Sequence, residues 1–339
     1  MFESFGANFC RRAPERISTT EVLVVTEMGT FCPQLWDGCY IDRAGDVFAC
    51  CHRSPLRFGN IHDSPLRDIV NSAVAIQARN ASIGGRLDCH ASCNLFEKDL
   101  GVPTGGEQGR IEYESLRRLH ISFAEACNIR CIMCDHPLRH AKNPLILDPD
   151  TVIRNVDLTP FTTIMIQGGE PLYISECLEF MAHLEKLGKK YTLLTNGLLI
   201  DDAMALRLAR HAKSVNFSLN GATKRGHESV NRGSRFERVV ENVGRLLRAR
   251  EALGTSLIVV GHMTITTSNA HEIPAFIELS RTIGFDRVNF GYVKETVPSF
   301  LSTRPDTLAY LRSETSSVLH GKNPVNADLL RLKMLGIVP

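Results

Sequence analysis

Between residues 119 and 293, six short apolar or β-branched runs alternate with stretches of helical character. The runs are LHISF (119–123), TTIMIQ (162–167), YTLLTN (191–196), SVNFSLN (214–220), SLIVVGHMTI (256–265) and RVNFGYV (287–293). Runs of this length and composition read as strands, because branched side chains pack well on a pleated surface. In the clearest helical stretch Phe236, Val239, Val240, Val243, Leu246 and Leu247 recur at helical spacing and form one apolar face. Such alternation returns successive strands in parallel. The expected fold is therefore α/β, an open parallel sheet or a partial (β/α)6 TIM-like barrel. In either, ligands bind at the carboxyl ends of the strands.

The residues just past those strands narrow the chemistry. CNIRCIMC (127–134), directly after the first strand, places Cys127, Cys131 and Cys134 within eight positions. Three thiolates so close suit zinc or an iron–sulfur cluster. A structural zinc site closes with four ligands, and His136 is near enough in sequence to be the fourth. A 4Fe–4S cluster held by three cysteines instead leaves one iron open to an external ligand. Polar motifs recur after later strands as GGEPL (168–172), TNG (195–197) and SLNGAT (218–223). A second GGE, at Gly105, Gly106 and Glu107, falls in the Gly-rich stretch 99–113 and reads as solvated turn.

Together, C-x3-C-x2-C and these strand-end motifs resemble the radical SAM superfamily over about 114–295. The resemblance implies that Cys127, Cys131 and Cys134 hold a 4Fe–4S cluster whose open iron binds S-adenosylmethionine (SAM). One electron then cleaves a carbon–sulfur bond, giving methionine and a 5′-deoxyadenosyl radical. The same resemblance implies further roles. Met133 would cover the cluster, while Gly168, Gly169 and Glu170 would engage the methionine ammonium. Ser218 and Asn220 would contact the methionine or ribose, with Asn220 in place of the more frequent Asp. Arg232, in VNRGS, would pair with the SAM carboxylate, a task that suits a guanidinium fork. Asn269 and Glu272 are expected to cap a helix.

The front of the chain is rich in cysteine. Of eleven cysteines nine lie between Cys32 and Cys134, and none follows Cys177. In a reducing compartment such clusters hold metal more often than they form disulfides. YIDRAGDVFACC reads as a hairpin turning at Arg43 to Gly45, and FGNIHDSPLRDIVNS as a turn and then a helix. This order resembles the SPASM or twitch module over roughly 32–98, here placed ahead of the core rather than after it. The resemblance implies an auxiliary iron–sulfur cluster on Cys32, Cys50, Cys89 and Cys93. Cys39 and Cys51 are spare, and either could displace a neighbour. A four-cysteine zinc ribbon is the alternative. Cys10 reads as a tail thiol, and Cys177 as a helix-packing thiol or a hydrogen-atom donor to a substrate radical. The expected division is an N-terminal segment (1–31), the auxiliary module (32–98), a linker (99–113), the radical SAM core (114–295) and a helical or irregular tail (296–339).

With 39 basic and 37 acidic residues the formal charge is +2, which argues against a protein that tracks a nucleic-acid backbone. No apolar run approaches the ~18–20 residues that span a bilayer, and the first residues lack the apolar core of a secretory signal. A cytoplasmic protein that binds neither nucleic acid nor membrane is expected. The leading expectation is a radical SAM enzyme that removes hydrogen from a substrate C–H. Its auxiliary cluster would assist oxidation, epimerisation or cross-linking of a peptide, sugar or other natural product. The resemblance also implies an electron donor such as flavodoxin or ferredoxin. The rival from another class is a non-catalytic zinc or iron–sulfur protein that senses redox state or scaffolds a complex. It accounts for the cysteines but not for the motifs at successive strand ends.

Overall fold

The computed structural model describes residues 32–51, 56–87, 109–134, 141–320 and 326–339. Eleven strands occur in this part: β1 Gly38–Ile41, β2 Asp46–Phe48, β3 Arg57–Asn60, β4 Arg118–Ser122, β5 Arg130–Cys131, β6 Thr163–Gln167, β7 Tyr191–Thr195, β8 Ala212–Ser218, β9 Asn231–Arg232, β10 Ile258–Ile265 and β11 Arg287–Tyr292. Nine of them form one sheet in the order β11–β10–β8–β7–β6–β4–β1–β2–β3, while β5 and β9 make a separate two-stranded ribbon. The six strands anticipated from sequence are β4, β6, β7, β8, β10 and β11. They lie side by side in chain order, all parallel, as βα alternation requires. The sheet is open.

Side-chain alternation divides the two faces of these strands. Ile164, Ile166, Leu193, Val215, Phe217, Val259, Met263 and Ile265 are buried in one apolar core with Phe180, Leu184, Leu208, Val243, Leu246, Phe276 and Ile277 of the helices. Positions of opposite parity, Leu194, Ser218, His262 and Thr264, face a cavity instead. The helix Phe236–Leu253 buries Val239, Val243 and Leu246, as its spacing predicts. It also buries Asn242, whose Nδ2 donates to the Gly197 carbonyl at 2.7 Å. The tail contains helices Val297–Ser302, Pro305–Leu319 and Leu330–Met334. Residues 326–328 close the far sheet edge: Val288 N donates to Asn326 O and Asp328 N to Val288 O. Backbone that would otherwise be unpaired is satisfied there.

At the other edge the cysteine-rich front is continuous with the same sheet. β1 adds parallel to β4 in the register Gly38↔Arg118 to Ile41↔Ile121, and β2 returns antiparallel. The turn between β1 and β2 is tightly determined. Asp42 Oδ1 accepts from Ala44 N and Asp46 N, and Gly45 has φ 77°. A Cβ at Gly45 would lie 2.7 Å from the His62 ring. The segment FGN, expected as part of a turn, belongs instead to β3, which pairs antiparallel with β2. Four residues that include a glycine carry too little alternation to be read as a strand. Of the stretch 99–113 only 109–113 is among the described residues, and it is pinned. Ile111 exchanges two hydrogen bonds with Asn71. Arg79, 1% exposed, donates to the carbonyls of Leu35, Val70 and Gly109 at 2.8–3.0 Å.

Candidate cofactor site at the strand ends

β4 ends at Ser122, and the chain then crosses the carboxyl end of the sheet to the cysteine loop. That loop is held at its middle by the ribbon, in which Arg130 faces Arg232 and Cys131 faces Asn231. Ile132 N continues the pairing by donating to Val230 O at 2.9 Å. Asn231 is fully buried and joins the loop to the sheet. Its Oδ1 lies 3.6 Å from the Cys131 thiol and accepts from Asn220 Nδ2 at 2.7 Å, while its own Nδ2 donates to Ser218 O. Asn220 Oδ1 in turn accepts from Thr264 N at 2.7 Å.

The GGE turn after β6 packs against the start of the same loop. Gly168 and Gly169 have φ 91° and 51°. A Cβ on Gly168 would come within 1.8 Å of Ser122 Oγ, and one on Gly169 within 2.1 Å of Ala126 O. Only glycine fits both demands, a left-handed backbone and close approach. Glu170 N then donates to Ala126 O at 2.9 Å. The Glu170 carboxylate is 1% exposed and accepts from Leu172 N, Thr195 Oγ1 and Asn196 N. Asn196 Nδ2 reaches across to Asn128 Oδ1 at 2.7 Å, so the TNG turn, the GGE turn and the cysteine loop are joined.

A cavity of about 270 Å³ opens between these parts. Its walls bring together Cys127, Cys131, Cys134, Met133, Gly168, Gly169, Glu170, Ser218 and Asn220. Arg232 is not among them. It is exposed and lines an adjoining surface depression with Asn128, Arg130 and Gly233. Glu272 does cap a helix, though across the fold: its carboxylate accepts from Ala222 N, Thr223 N and Thr223 Oγ1 at the start of Lys224–Val230. Asn269 holds its own turn through Thr266 and donates to the carbonyls of Asn220 and Thr264.

Three polar cavity residues escaped sequence reasoning. Glu125, two positions before Cys127, is on the wall with its side chain 2% exposed, paired to Arg43 of the β1–β2 turn. His262 and Thr264 occupy inward positions of β10. His262 Nδ1 is bonded to Asn289 Oδ1, and burial holds the imidazole below its ordinary pKa. Only the polar breaks in an apolar strand, HMT, signalled these two.

The charges of the site suit a cationic occupant. Burial pushes the Cys127 thiol up, and the neighbouring negative charges of Glu170 and Cys134 add to this. Burial also raises Glu170 to about 7 against the hydrogen bonds it accepts, and no ion pair compensates it among the described residues. A thiol and a carboxylate that resist ionising in the bare protein are those that bound metal and an ammonium would hold ionised. The donor set therefore fits an iron–sulfur cluster with a zwitterionic ligand beside it. Among the described residues no three His, Cys, Asp or Glu side chains converge on a single ion-sized point.

In the front module Cys32 is buried and its N–H donates to Ser82 Oγ, while Cys50 is half-buried after β2. Cys39 is packed in the core on β1, and burial pushes its thiol up to about 12. Cys51 is exposed and lies near the Gln167 side chain at the end of β6. Cys177 is buried on the core face of Ser175–Lys186 with Phe180, Met181 and Leu184 and does not line the cavity, and burial pushes its thiol up. Cys10, Cys89, Cys93, Glu107 and His136 lie outside the described residues. Within the described residues no helix is long and apolar enough to cross a membrane.

The family model described as "Radical SAM superfamily" matches residues 121–291, just over half of the chain. A second, SPASM, described as "Iron-sulfur cluster-binding domain", matches residues 32–94. Among curated proteins, the chain is 26% identical over 182 residues to a probable GTP 3',8-cyclase of Saccharolobus islandicus, covering 51% of this chain and 56% of that one. It is 29% identical over 170 residues to the GTP 3',8-cyclase of Peptoclostridium acidaminophilum, covering 48% and 51%. The chain thus spans about half the length of the curated relatives it matches. Similar solved structures include Streptococcus suis SuiB bound to precursor peptide SuiA (TM-score 0.46, 17% identity, 75% of this chain and 61% of that one). Another is native anSMEcpe with bound AdoMet (TM-score 0.47, 18% identity, 65% and 66%). The chain belongs to the radical SAM superfamily, whose cofactors are a 4Fe–4S cluster and S-adenosylmethionine, and it carries an iron–sulfur cluster-binding domain ahead of its core.

Proposed function

We propose that this protein is an enzyme that cleaves SAM reductively and uses the radical to take hydrogen from an unactivated substrate carbon. The observation that carries this reading is the single cavity shared by Cys127, Cys131 and Cys134 with Gly168–Glu170, Ser218 and Asn220. When bound, the cluster and SAM supply a 5′-deoxyadenosyl radical. The chain's own residues bind, orient and shield. Cys127, Cys131 and Cys134 would hold the cluster from the cavity wall. Glu170, buried and uncompensated among the described residues, receives the methionine ammonium, which restores its charge balance. Ser218 and Thr264 offer hydroxyls to the remaining polar groups, and Leu194, Ile129 and Met133 close the cavity with apolar surface that excludes water. Arg232 would serve the SAM carboxylate from the adjoining depression.

The auxiliary cluster, on Cys32, Cys50, Cys89 and Cys93, exchanges an electron with the substrate or helps to seat it. The parallel addition of β1 to β4, the neighbour of β6, supports this, because it brings the front module to the strand ends that carry the GGE turn. The substrate class we favour is a peptide, sugar or other natural product with an oxidisable or invertible C–H. The similarity to GTP 3',8-cyclases makes a purine nucleotide the competing class. An external electron donor of the flavodoxin or ferredoxin type completes the system. The test is anaerobic reconstitution followed by dithionite reduction and electron paramagnetic resonance (EPR) with and without SAM. A cluster signal that changes on adding SAM, and does not change in a Cys127→Ala, Cys131→Ala, Cys134→Ala variant, is expected. Zinc in place of iron, or a signal indifferent to SAM, contradicts the reading.

A further inference from the structure

The cysteine loop separates two concavities. On one side Ile129 and Cys131 line the cavity that holds Glu170 and Ser218. On the other, the same two residues line the surface depression, together with Arg130, Ile132 and Arg232. A cluster held by Cys131 is therefore one layer of loop away from solvent. The β5–β9 ribbon decides which side chains meet the solvent there. Side chains alternate along a strand, so Cys131 with Asn231 makes the inward pair and Arg130 with Arg232 the outward one. Asn231 is buried and both arginines are exposed. Like charges directly opposite one another destabilise a ribbon. Among the described residues no carboxylate pairs with either guanidinium. On the neighbouring segments Glu228 accepts from Phe236 N, and Glu237 pairs with Lys224. Ile132, 44% exposed, adds apolar surface beside the two charges.

We propose that this depression docks the electron donor, an acidic one-electron carrier of the flavodoxin type, with Arg130 and Ile132 as its contacts. This deepens the functional reading above and rests on it. Two positive charges in register complement an acidic surface and steer it to the loop, and a docked carboxylate surface offsets their mutual repulsion. Ile132 between cations matches an exposed flavin edge, which is apolar and ringed by carboxylates. One electron passes: the carrier is oxidised, the cluster is reduced, and no bond is made or broken. SAM and substrate belong to the cavity side, so a carrier in the depression reaches the loop without displacing them. Arg232, assigned above to the SAM carboxylate, adds its field, while docking itself falls to Arg130 and Ile132.

The test is calorimetric titration of oxidised flavodoxin into the reconstituted full chain at low and raised salt, so that no turnover enters the readout. Binding is expected, and it should weaken as salt screens the charges. Arg130→Gln should weaken it and flatten its salt dependence, and Arg130→Gln with Ile132→Ser should weaken it about tenfold or more. Arg130→Lys keeps the charge and should stay close to wild type. Both positions are exposed, and losing one of two facing charges relieves the ribbon, so these variants are expected to fold. Reduced flavodoxin should support 5′-deoxyadenosine formation by the wild type and much less by the double variant, whereas dithionite should serve both equally. Unchanged affinity in the double variant, or binding of a ferredoxin in place of flavodoxin, overturns the proposal. Dimerisation of the wild type that the double variant abolishes, with no flavodoxin bound, assigns the face to a second copy and overturns it too. A wild type that forms no 5′-deoxyadenosine with dithionite contradicts the functional reading instead. A wild type active with dithionite that does not bind flavodoxin contradicts only the docking site.

Discussion

Asn220 Nδ2 donates to Asn231 Oδ1 at 2.7 Å, and the same oxygen lies 3.6 Å from the Cys131 thiol. One buried amide therefore connects the end of β8 to the middle of the cysteine loop. Asn231→Ala removes that oxygen and leaves Asn220 Nδ2 and Ser218 O without their partner. A loss of about 1–3 kcal/mol in unfolding free energy is expected, the usual cost of stranding buried polar groups. Equilibrium denaturation measures it. Iron retained after gel filtration should fall in parallel, because the loop loses its anchor. An unchanged iron content would show that the ribbon alone holds the cysteines.

Glu170 should give the SAM affinity a pH dependence. Its folded pKa, about 7, lies above the ordinary 4.5, so the folded protein holds this proton more tightly than the unfolded chain. The associated stability is present below the ordinary value and is lost as pH rises through about 7. Glu170→Gln cannot ionise. It is expected to stabilise the SAM-free protein at pH 8 by about 2 kcal/mol, once roughly 1 kcal/mol is subtracted for the mismatch of its amide with Asn196 N. The same change should weaken SAM binding about 10- to 100-fold at pH 8, because a charged partner is lost. Near pH 6, where wild-type Glu170 is itself protonated, the two proteins should converge. Glu107→Gln, in the Gly-rich stretch, should leave both quantities flat. Calorimetric titration at the two pH values, with thermal melts, checks all of this.

Arg79 anchors the front module. Its guanidinium serves three carbonyls from three segments, and burial without a carboxylate lowers its pKa to about 10. Arg79→Met keeps much of the volume but strands three buried acceptors. At about 1 kcal/mol or more for each, a loss of roughly 3 kcal/mol is expected. Limited proteolysis should then cut first within 32–87, ahead of the strands from β4 onward. A protease pattern identical to wild type would contradict the anchoring role.

Much of the fold was legible because its central strands each bury one side in the apolar core. Such strands are short apolar runs with clear ends, and their alternation with helices fixes parallel order. The motifs at their ends were legible for the same reason, since strand ends are where the polar residues appear. β3 was not, because Gly59 and Asn60 resemble a turn. The addition of β1 to β4 was not legible either, since nothing local in GCYI states which distant strand it pairs with. Glu125 carries no local signal in the sequence, and the pairing of β1 with β4 brings Arg43 to it. Asn231, next to the expected Arg232, proved to be the residue that faces the cysteine loop. A two-residue ribbon leaves no periodicity by which to tell the two apart.

The auxiliary cysteines give a further separable outcome. Cys89→Ala with Cys93→Ala removes half of the proposed auxiliary ligands and leaves the three-cysteine loop intact. Reconstituted iron should fall from about eight to about four per chain, as one 4Fe–4S cluster is lost. The remaining cluster should still respond to SAM. Loss of the SAM response in this variant would mean that the two sites do not form independently.

The central claim is that Cys127, Cys131 and Cys134 together with the GGE turn make a site for reductive SAM cleavage. The most direct measurement is 5′-deoxyadenosine, quantified by mass spectrometry after anaerobic incubation of reconstituted protein with SAM and dithionite. The wild type is expected to form it, and the Cys127→Ala, Cys131→Ala, Cys134→Ala variant to form none while retaining about half its iron. Equal amounts of 5′-deoxyadenosine from the two proteins, or none from a fully iron-loaded wild type, would contradict the account.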